Sequence, residues 1–121
     1  MFELVFYEDK RGRSEVLEYL EDLYNKKDAD KESRILYCKI QAYFNMLEEN
    51  GTRLSKKITK HIGGSIWELR PLKTRIFYAY YKDNKFVILH YSVKKTKKTP
   101  KTELEQTNRN LKDFLERNEQ S

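Results

Sequence analysis

The spacing of apolar residues changes its period near residue 52, and this change constrains the fold more than any other feature of the sequence. Before it, apolar side chains recur at helical spacing: Leu17, Leu20, Leu23, Leu36, Ile40, Tyr43 and Leu47. After it, the runs SIWELR, TRIFYAYY and KFVILHYS are rich in strand-forming residues and follow a period of two. The sequence therefore predicts two helices followed by a sheet.

Capping and turn residues fix the approximate bounds of these elements. Ser14 is a suitable N-cap for the first helix, and Gly51 supplies the left-handed stop after the second. Asp83 and Asn84 favour a tight hairpin, FELVFY predicts a first strand, and KTELEQTNRNLKDFLERN predicts a third helix. We expect one α+β domain over residues 1–121, with 116–121 a polar tail. Its order is β-α-α-β-β-β-α, an antiparallel sheet packed against an N-terminal helical hairpin and a C-terminal helix.

Composition excludes several classes of protein. No run approaches the roughly 18 apolar residues that span a bilayer, and MFELVFYEDK lacks a signal-peptide pattern. We therefore expect a cytoplasmic protein that has no membrane partner. The single cysteine, Cys38, excludes an internal disulfide framework, and we expect it to be a small buried residue of the second helix.

Positive charge is concentrated in one segment. Residues 53–101 contain 14 Lys and Arg against two acids, Glu68 and Asp83, whereas the segments before and after it are net negative. Phosphate groups bind where positive charge is concentrated. This distribution therefore favours a nucleic-acid-binding surface over a surface whose charges serve only solubility.

Arg70 and Arg75 flank the connection Pro71–Thr74 between two predicted strands. In an antiparallel hairpin they would be cross-strand neighbours, with Cβ atoms about 5 Å apart. Two like charges in such a pair repel each other unless an anion lies between them, and guanidinium groups form bidentate hydrogen bonds with phosphate oxygens. We expect a phosphate between them; the alternative is that one arginine pairs with Glu68 or with an acid of the first helices.

The candidate chemistry is phosphodiester cleavage without a metal. Metal-assisted cleavage needs clustered carboxylates, which the basic segment lacks, so we expect no metal and no cofactor. Nothing in the sequence indicates that His61 and His90 meet. Attack by the 2′-hydroxyl of RNA on its own phosphate needs only cations and a proton carrier, such as a lysine of lowered pKa, Tyr91 or His90.

The segment IWELRPLKTRIFYAYYKDNKFVILHYSVKKTKKTP, preceded by LSKKITKHIGG, resembles the RelE/ParE toxin superfamily. The most similar branch is HigB-like and includes phage-derived Gp49-like proteins. The resemblance implies a RelE-like fold and the toxin of a type II toxin–antitoxin system, an endoribonuclease that cleaves mRNA in the ribosomal A site. It also implies a cognate helix-turn-helix (HigA-like) antitoxin, with operator DNA bound only through the toxin–antitoxin complex.

The resemblance matches the basic residues of the family to Arg70, Arg75, Lys57, Lys60, Lys94, Lys95, Lys97 and Lys98, and the local chemistry of the sequence adds the other candidates. The residues assigned to catalysis are Arg70, Arg75, Lys57, Lys94 and Lys95. Those assigned to RNA binding are Lys56, Lys60, Lys73, Tyr91, Lys97 and Lys98, with His90 or Tyr91 available for proton transfer. Two alternatives stay open: a ParE-like inhibitor of DNA gyrase without a nuclease site, and an RNA-binding module without catalysis.

Overall fold

The computed structural model describes residues 1–119, which form three helices and five strands. In chain order these are β1 (Glu3–Phe6), α1 (Glu15–Lys26), α2 (Lys31–Asn50), β2 (Thr59–Gly63), β3 (Ile66–Leu69), β4 (Thr74–Tyr80), β5 (Lys85–Val93) and α3 (Lys101–Glu119). The α+β class and the predicted sequence of helices are confirmed. The predicted order lacked β2, which is a fifth strand.

The five strands form one mixed sheet in the order β1-β5-β4-β3-β2. The prediction of a purely antiparallel sheet was wrong, because β1 runs parallel to β5, with Leu4 beside Phe86 and Phe6 beside Ile88. The whole helical hairpin lies between β1 and the rest of the sheet in sequence, which is the long crossover that a parallel pair requires. The other neighbours are antiparallel, as expected for strands joined by short turns.

The sheet separates two apolar cores. On one face α1 and α2 bury their stripes against Leu69, Ile76, Tyr78, Phe86 and Ile88. On the other face Phe114 of α3 packs with Ile66, Phe77, Ala79, Val87 and Leu89. The molecule thus has three layers, and the basic segment supplies four of the five strands of the middle one.

A bulge in the β4–β5 ladder helps to seat α3. Phe77 pairs with His90 and Tyr78 pairs with Ile88, so the register skips Leu89. The side-chain amide of Asn110, which is buried in α3, donates to the Leu89 carbonyl oxygen at 2.8 Å. A bulge disrupts the local ladder, and here a helix side chain satisfies the carbonyl of the extra residue.

The helix caps follow the sequence closely. The Ser14 hydroxyl accepts from the Leu17 amide at 3.2 Å, and the Gly51 amide donates to the Leu47 carbonyl at 2.8 Å with φ +61°. The buried face of α1 differs by one residue from the prediction. Val16 is buried with Leu20 and Leu23, whereas Leu17 is 42% exposed.

Cys38 is exposed on α2, so the prediction of a buried cysteine was wrong. It follows Leu36 by two residues, a spacing of about 200° on a helix, and therefore faces away from the buried stripe. The predicted polar tail begins inside α3, which continues to Glu119; residues 120 and 121 lie outside the described residues. Within residues 1–119, no helix is long and apolar enough to cross a membrane.

Candidate active site

The two predicted arginines lie side by side at the end of the β3–β4 hairpin. The last pair in the register is Leu69 with Ile76, and extending it by one residue places Arg70 opposite Arg75. A carboxylate, rather than open space for a phosphate, lies beside both. The Nε atom of Arg70 is 3.5 Å from Oε1 of Glu68, and the Nε atom of Arg75 is 3.9 Å from Oε2. In this structure Glu68 therefore supplies the negative charge that we expected from a ligand.

Glu68 is almost completely buried, with 3% of its surface exposed. The hydroxyl of Thr99 donates to its Oε2 atom at 2.9 Å. Across the sheet, Lys60 of β2 is its direct partner in the antiparallel register. Glu68 thus takes the place that the alternative to a bound phosphate gave it, as a partner of the arginines. Strand periodicity predicts that Glu68 and Arg70 lie on the same face of the sheet, because they are two residues apart.

Arg75 lies beneath the basic loop, which we define as residues 94–99 between β5 and α3. Its Nη2 atom donates to the carbonyl oxygens of Thr96 at 2.7 Å and Lys97 at 2.8 Å, and the residue is 1% exposed. Its Nε atom is also buried and makes no hydrogen bond to the described residues. The expectation that Arg75 faces a phosphate thus differs from the structure, where its guanidinium faces the loop backbone.

Beside this pair is a depression of about 220 Å³ that we call the basic pocket. Its lining contains four cationic side chains, Lys60, Arg70, Lys97 and Lys98, together with His61, Ile62, Glu68, Thr99 and Leu104. Arg70 is held at its wall, since Nη1 donates to the Lys56 carbonyl oxygen at 3.2 Å. Parts of the chain that are distant in sequence, β2 and the loop after β5, therefore bring their lysines together with Arg70 here.

The surroundings of Lys94 alter its acid–base behaviour. Its backbone amide donates to the Lys73 carbonyl at 2.6 Å, which fixes the start of the basic loop. Partial burial, followed by the positive charges of Arg70 and Arg75, lowers the pKa of its ammonium group, while Glu68 acts in the opposite direction. A lysine with a lowered pKa is more often neutral and can accept a proton.

The remaining predicted lysines lie outside the lining of the basic pocket. Lys57 is exposed in the segment before β2, and Lys56 contributes its carbonyl to Arg70. Lys73 lines a separate depression with Leu72 and with residues of α2. Lys95 lines a larger cleft of about 520 Å³ on the other side of the basic loop, with Glu15, His90 and Glu103.

His90 is held between two carboxylates. Nδ1 contacts Oε1 of Glu15 at the start of α1, and Nε2 lies 3.0 Å from Oε2 of Glu103 in α3. Burial disfavours its protonated form, but the hydrogen bonds and charges of Glu15 and Glu103 outweigh burial and raise the pKa of His90. Both ring nitrogens are engaged, so His90 connects two helices to the sheet and has no free nitrogen for a substrate.

Tyr91 points to the opposite face of the sheet from Arg75. Its ring stacks on Tyr19 at a centroid distance of 4.1 Å. Burial, together with the negative charges of Glu15 and other acids of α1, raises the pKa of its hydroxyl. The two residues considered for proton transfer, His90 and Tyr91, thus line the larger cleft, and neither lines the basic pocket.

Within residues 1–119, no group of three or more His, Cys, Asp or Glu side chains is placed to bind one metal ion. A comparison with curated proteins finds no match. A family model does match: "Phage derived protein Gp49-like (DUF891)" covers residues 27–112, which include α2, all the strands of the basic segment, the basic loop and most of α3. The chain therefore belongs to the phage-derived Gp49-like family, a RelE/HigB-like family of toxins from toxin–antitoxin systems.

Proposed function

We propose that this toxin is an endoribonuclease that cleaves mRNA in the ribosomal A site and thereby blocks translation, as a member of the HigB-like branch. The observation that carries the proposal is the basic pocket with Lys94 beside it. Four cationic side chains line one small depression, and the neighbouring lysine has a lowered pKa. Such an arrangement suits a phosphate group that gains negative charge during a reaction.

The same pocket favours a single RNA strand as the substrate. Lys60 lies in β2 and Arg70 directly follows β3, whereas Lys97 and Lys98 lie in the basic loop, so cations from three parts of the chain line the pocket. A phosphate lying between them would release bound counterions from the nucleic acid, which makes binding favourable and dependent on salt. An RNA strand also carries the 2′-hydroxyl that the proposed chemistry needs.

The proposed reaction is a transesterification within the RNA. The 2′-oxygen attacks the adjacent phosphorus, the bond from phosphorus to the 5′-oxygen of the next nucleotide breaks, and a 2′,3′-cyclic phosphate forms. Neutral Lys94 takes the proton of the 2′-hydroxyl, and the departing 5′-oxygen takes up a proton from water. Arg70 and the pocket lysines stabilise the charge that develops on the phosphate oxygens, which is worth several kcal/mol in sites of this kind.

The partners follow from the family. A type II toxin needs a cognate antitoxin, and we propose a helix-turn-helix protein that also recruits operator DNA. The first 52 residues contain 12 Asp and Glu against eight Lys and Arg. This excess of negative charge would repel ribosomal RNA and so orient the basic segment toward it. Action on the ribosome implies a cytoplasmic location.

The test is induction of the toxin in cells, with mRNA ends mapped and protein and DNA synthesis followed separately. We expect translation to stop, with new ends inside translated messages. The double substitution Lys60→Ala/Arg70→Ala should abolish these cuts, while Lys82→Ala, on the distant β4–β5 turn, should leave them unchanged. Arrest of DNA synthesis with intact messages would instead indicate a gyrase inhibitor.

The chemistry has its own test with purified toxin and programmed ribosomes. A message with a single 2′-deoxynucleotide on the 5′ side of the mapped cut should resist cleavage at that position and not elsewhere. The cut end of the normal message should carry a 2′,3′-cyclic phosphate. If the toxin binds the message but produces neither the cut nor the cyclic phosphate end, the protein is an RNA-binding module and the proposal of a nuclease is rejected.

A further inference from the structure

Arg75 donates hydrogen bonds to the backbone of the basic loop. A single nitrogen, Nη2, donates to two consecutive carbonyl oxygens, those of Thr96 and Lys97, at 2.7 and 2.8 Å. These bonds tie the middle of the loop to β4 at the one position where four lysines are crowded into five residues. The guanidinium is 1% exposed and therefore does not reach the solvent side of the basic pocket.

The end of the basic loop has a second attachment. The Thr99 hydroxyl donates to Oε2 of Glu68 at 2.9 Å, and the same oxygen faces the guanidinium of Arg75 at 3.9 Å. Glu68 and Arg75 come from neighbouring strands, β3 and β4, that are hydrogen-bonded in a fixed register. The loop is thus fastened at its middle and at its end to one rigid part of the sheet.

Repulsion between the positive charges of the basic pocket opposes the closed position of the basic loop. Lys97 and Lys98 of the loop line the same small pocket as Lys60 and Arg70, and like charges repel each other. Hydrogen bonds from or to charged groups are about twice as strong as those between neutral groups. The bonds made by Arg75 and Glu68 therefore oppose this repulsion.

We propose that Arg75, Glu68 and Thr99 form a clasp that positions the basic loop, and that Arg75 acts through Lys97 and Lys98 rather than by contact with RNA. The inference rests on the proposed function for its consequence in RNA cleavage. It changes the role of Arg75 from a phosphate ligand to a positioning residue, and it gives Glu68 and Thr99 a part in the site.

The mildest test removes one hydrogen bond. Thr99→Val keeps the shape of the side chain but leaves Glu68 without its donor, and we expect cleavage by ribosome-bound toxin to fall by about tenfold. Thr99→Ser keeps the hydroxyl and should restore cleavage to near the parent rate. Thr102→Val, at an exposed threonine of α3, is the matched control and should not change the rate.

A double-mutant cycle separates positioning from direct contact. In the Lys97→Ala/Lys98→Ala background the lysines that the clasp positions are gone, so Thr99→Val and Arg75→Lys should lower cleavage no further. Lysine keeps the charge of Arg75 but lacks the planar set of donors that bonds two carbonyls. If Arg75→Lys costs as much in this background as in the parent chain, Arg75 contacts the RNA and the proposal is overturned.

Limited trypsin digestion reports on the loop without any RNA. Thr99→Val should speed cleavage after Lys94, Lys95, Lys97 and Lys98, whereas Thr99→Ser and Thr102→Val should match the parent; cleavage after Lys82 serves as the internal standard. Unchanged digestion of the loop in Thr99→Val would overturn the clasp. Failure of the parent chain to cleave mRNA would reject the proposed function alone, because the digestion test does not depend on it.

Discussion

The Nε atom of Arg70 lies 3.5 Å from Oε1 of Glu68, a carboxylate that is 3% exposed and also faces the fully buried Arg75. A buried carboxylate beside two guanidinium groups compensates charge that the protein interior would otherwise not tolerate. Glu68 thus serves stability as well as the arrangement of the site.

Glu68→Gln should destabilise the fold. The substitution keeps the size of the side chain but leaves the buried Arg75 without its nearest negative charge, a loss worth about 3 kcal/mol in the free energy of unfolding. Urea unfolding followed by circular dichroism measures it. Glu18→Gln, which breaks the exposed pair with Arg13, is the control and should change the midpoint little. An equal, small effect of both substitutions would mean that the loop carbonyls alone compensate Arg75.

Lys94→Arg should lower the rate of single-turnover cleavage by about a hundredfold. Arginine keeps the positive charge but is not deprotonated at accessible pH, so the proton acceptor is lost. The rate of the parent toxin should rise with pH until Lys94 is neutral, and this rise should be absent in Lys94→Arg. Lys82→Arg is a suitable control, as it changes an exposed lysine of the β4–β5 turn outside the basic pocket. A rate in Lys94→Arg equal to that of the parent would remove Lys94 as the base.

The positive charge of Arg70 beside Lys94 allows a second test of the same mechanism. Arg70→Gln removes one of the two arginines that lower the pKa of Lys94. The rise of the rate should therefore move to higher pH, in addition to the loss of rate from weaker phosphate binding. A lower rate with an unmoved pH profile would mean that Arg70 acts on the phosphate only.

Local chemistry in the sequence predicted the elements whose causes are local. Ser14 caps α1, Gly51 ends α2, and Asp83 and Asn84 adopt φ of +53° and +59° in the predicted hairpin turn. Each of these depends on a few consecutive residues. The β2 strand was missed because TKHIG contains one large apolar residue and takes its stability from pairing with β3.

Long-range relationships could not be predicted from the sequence. Nothing in FELVFY states that its partner is β5 or that the pair is parallel. In the site, Arg70 lies with Lys60, Lys97 and Lys98 in one pocket, but the closure of the basic loop over Arg75 depends on backbone carbonyls, which every residue has. The sequence therefore indicated where positive charge accumulates, but not which of the charged side chains line one pocket and which are buried.

Tyr91→Phe should leave RNA cleavage unchanged. The Tyr91 ring packs on Tyr19 on the face opposite Arg75, and its hydroxyl has a raised pKa, so the hydroxyl is poorly suited to proton transfer at neutral pH. Tyr91→Ala should cost about 1 kcal/mol in the free energy of unfolding through loss of the stack. A large loss of cleavage in Tyr91→Phe, with unchanged stability, would mean that the Tyr91 hydroxyl takes part in the reaction.

His90 should make the stability of the fold depend on pH. Its pKa in the folded state is raised above the ordinary 6.5 by Glu15 and Glu103 despite burial, so near neutral pH the folded chain holds more protons than the unfolded chain. The stabilisation is therefore fully present below about pH 6.5 and is lost as the pH rises through the raised value. Urea unfolding midpoints measured from about pH 6 to about pH 9 should fall in the parent protein, beyond any fall in a variant without this imidazole.

His90→Gln provides that variant, since glutamine keeps hydrogen-bonding groups but does not titrate. Phe77 and the neutral Tyr91 are the other aromatic groups around His90, so Glu15 and Glu103 are the charges that act on it most directly. His61→Gln is the matched control: His61 is exposed, and its Nε2 contacts the Gly64 carbonyl, so its loss should leave the fall in stability in place. If the midpoint of His90→Gln falls with pH as steeply as that of the parent, another group carries the dependence, and the Glu15–His90–Glu103 contact contributes no net protonation energy.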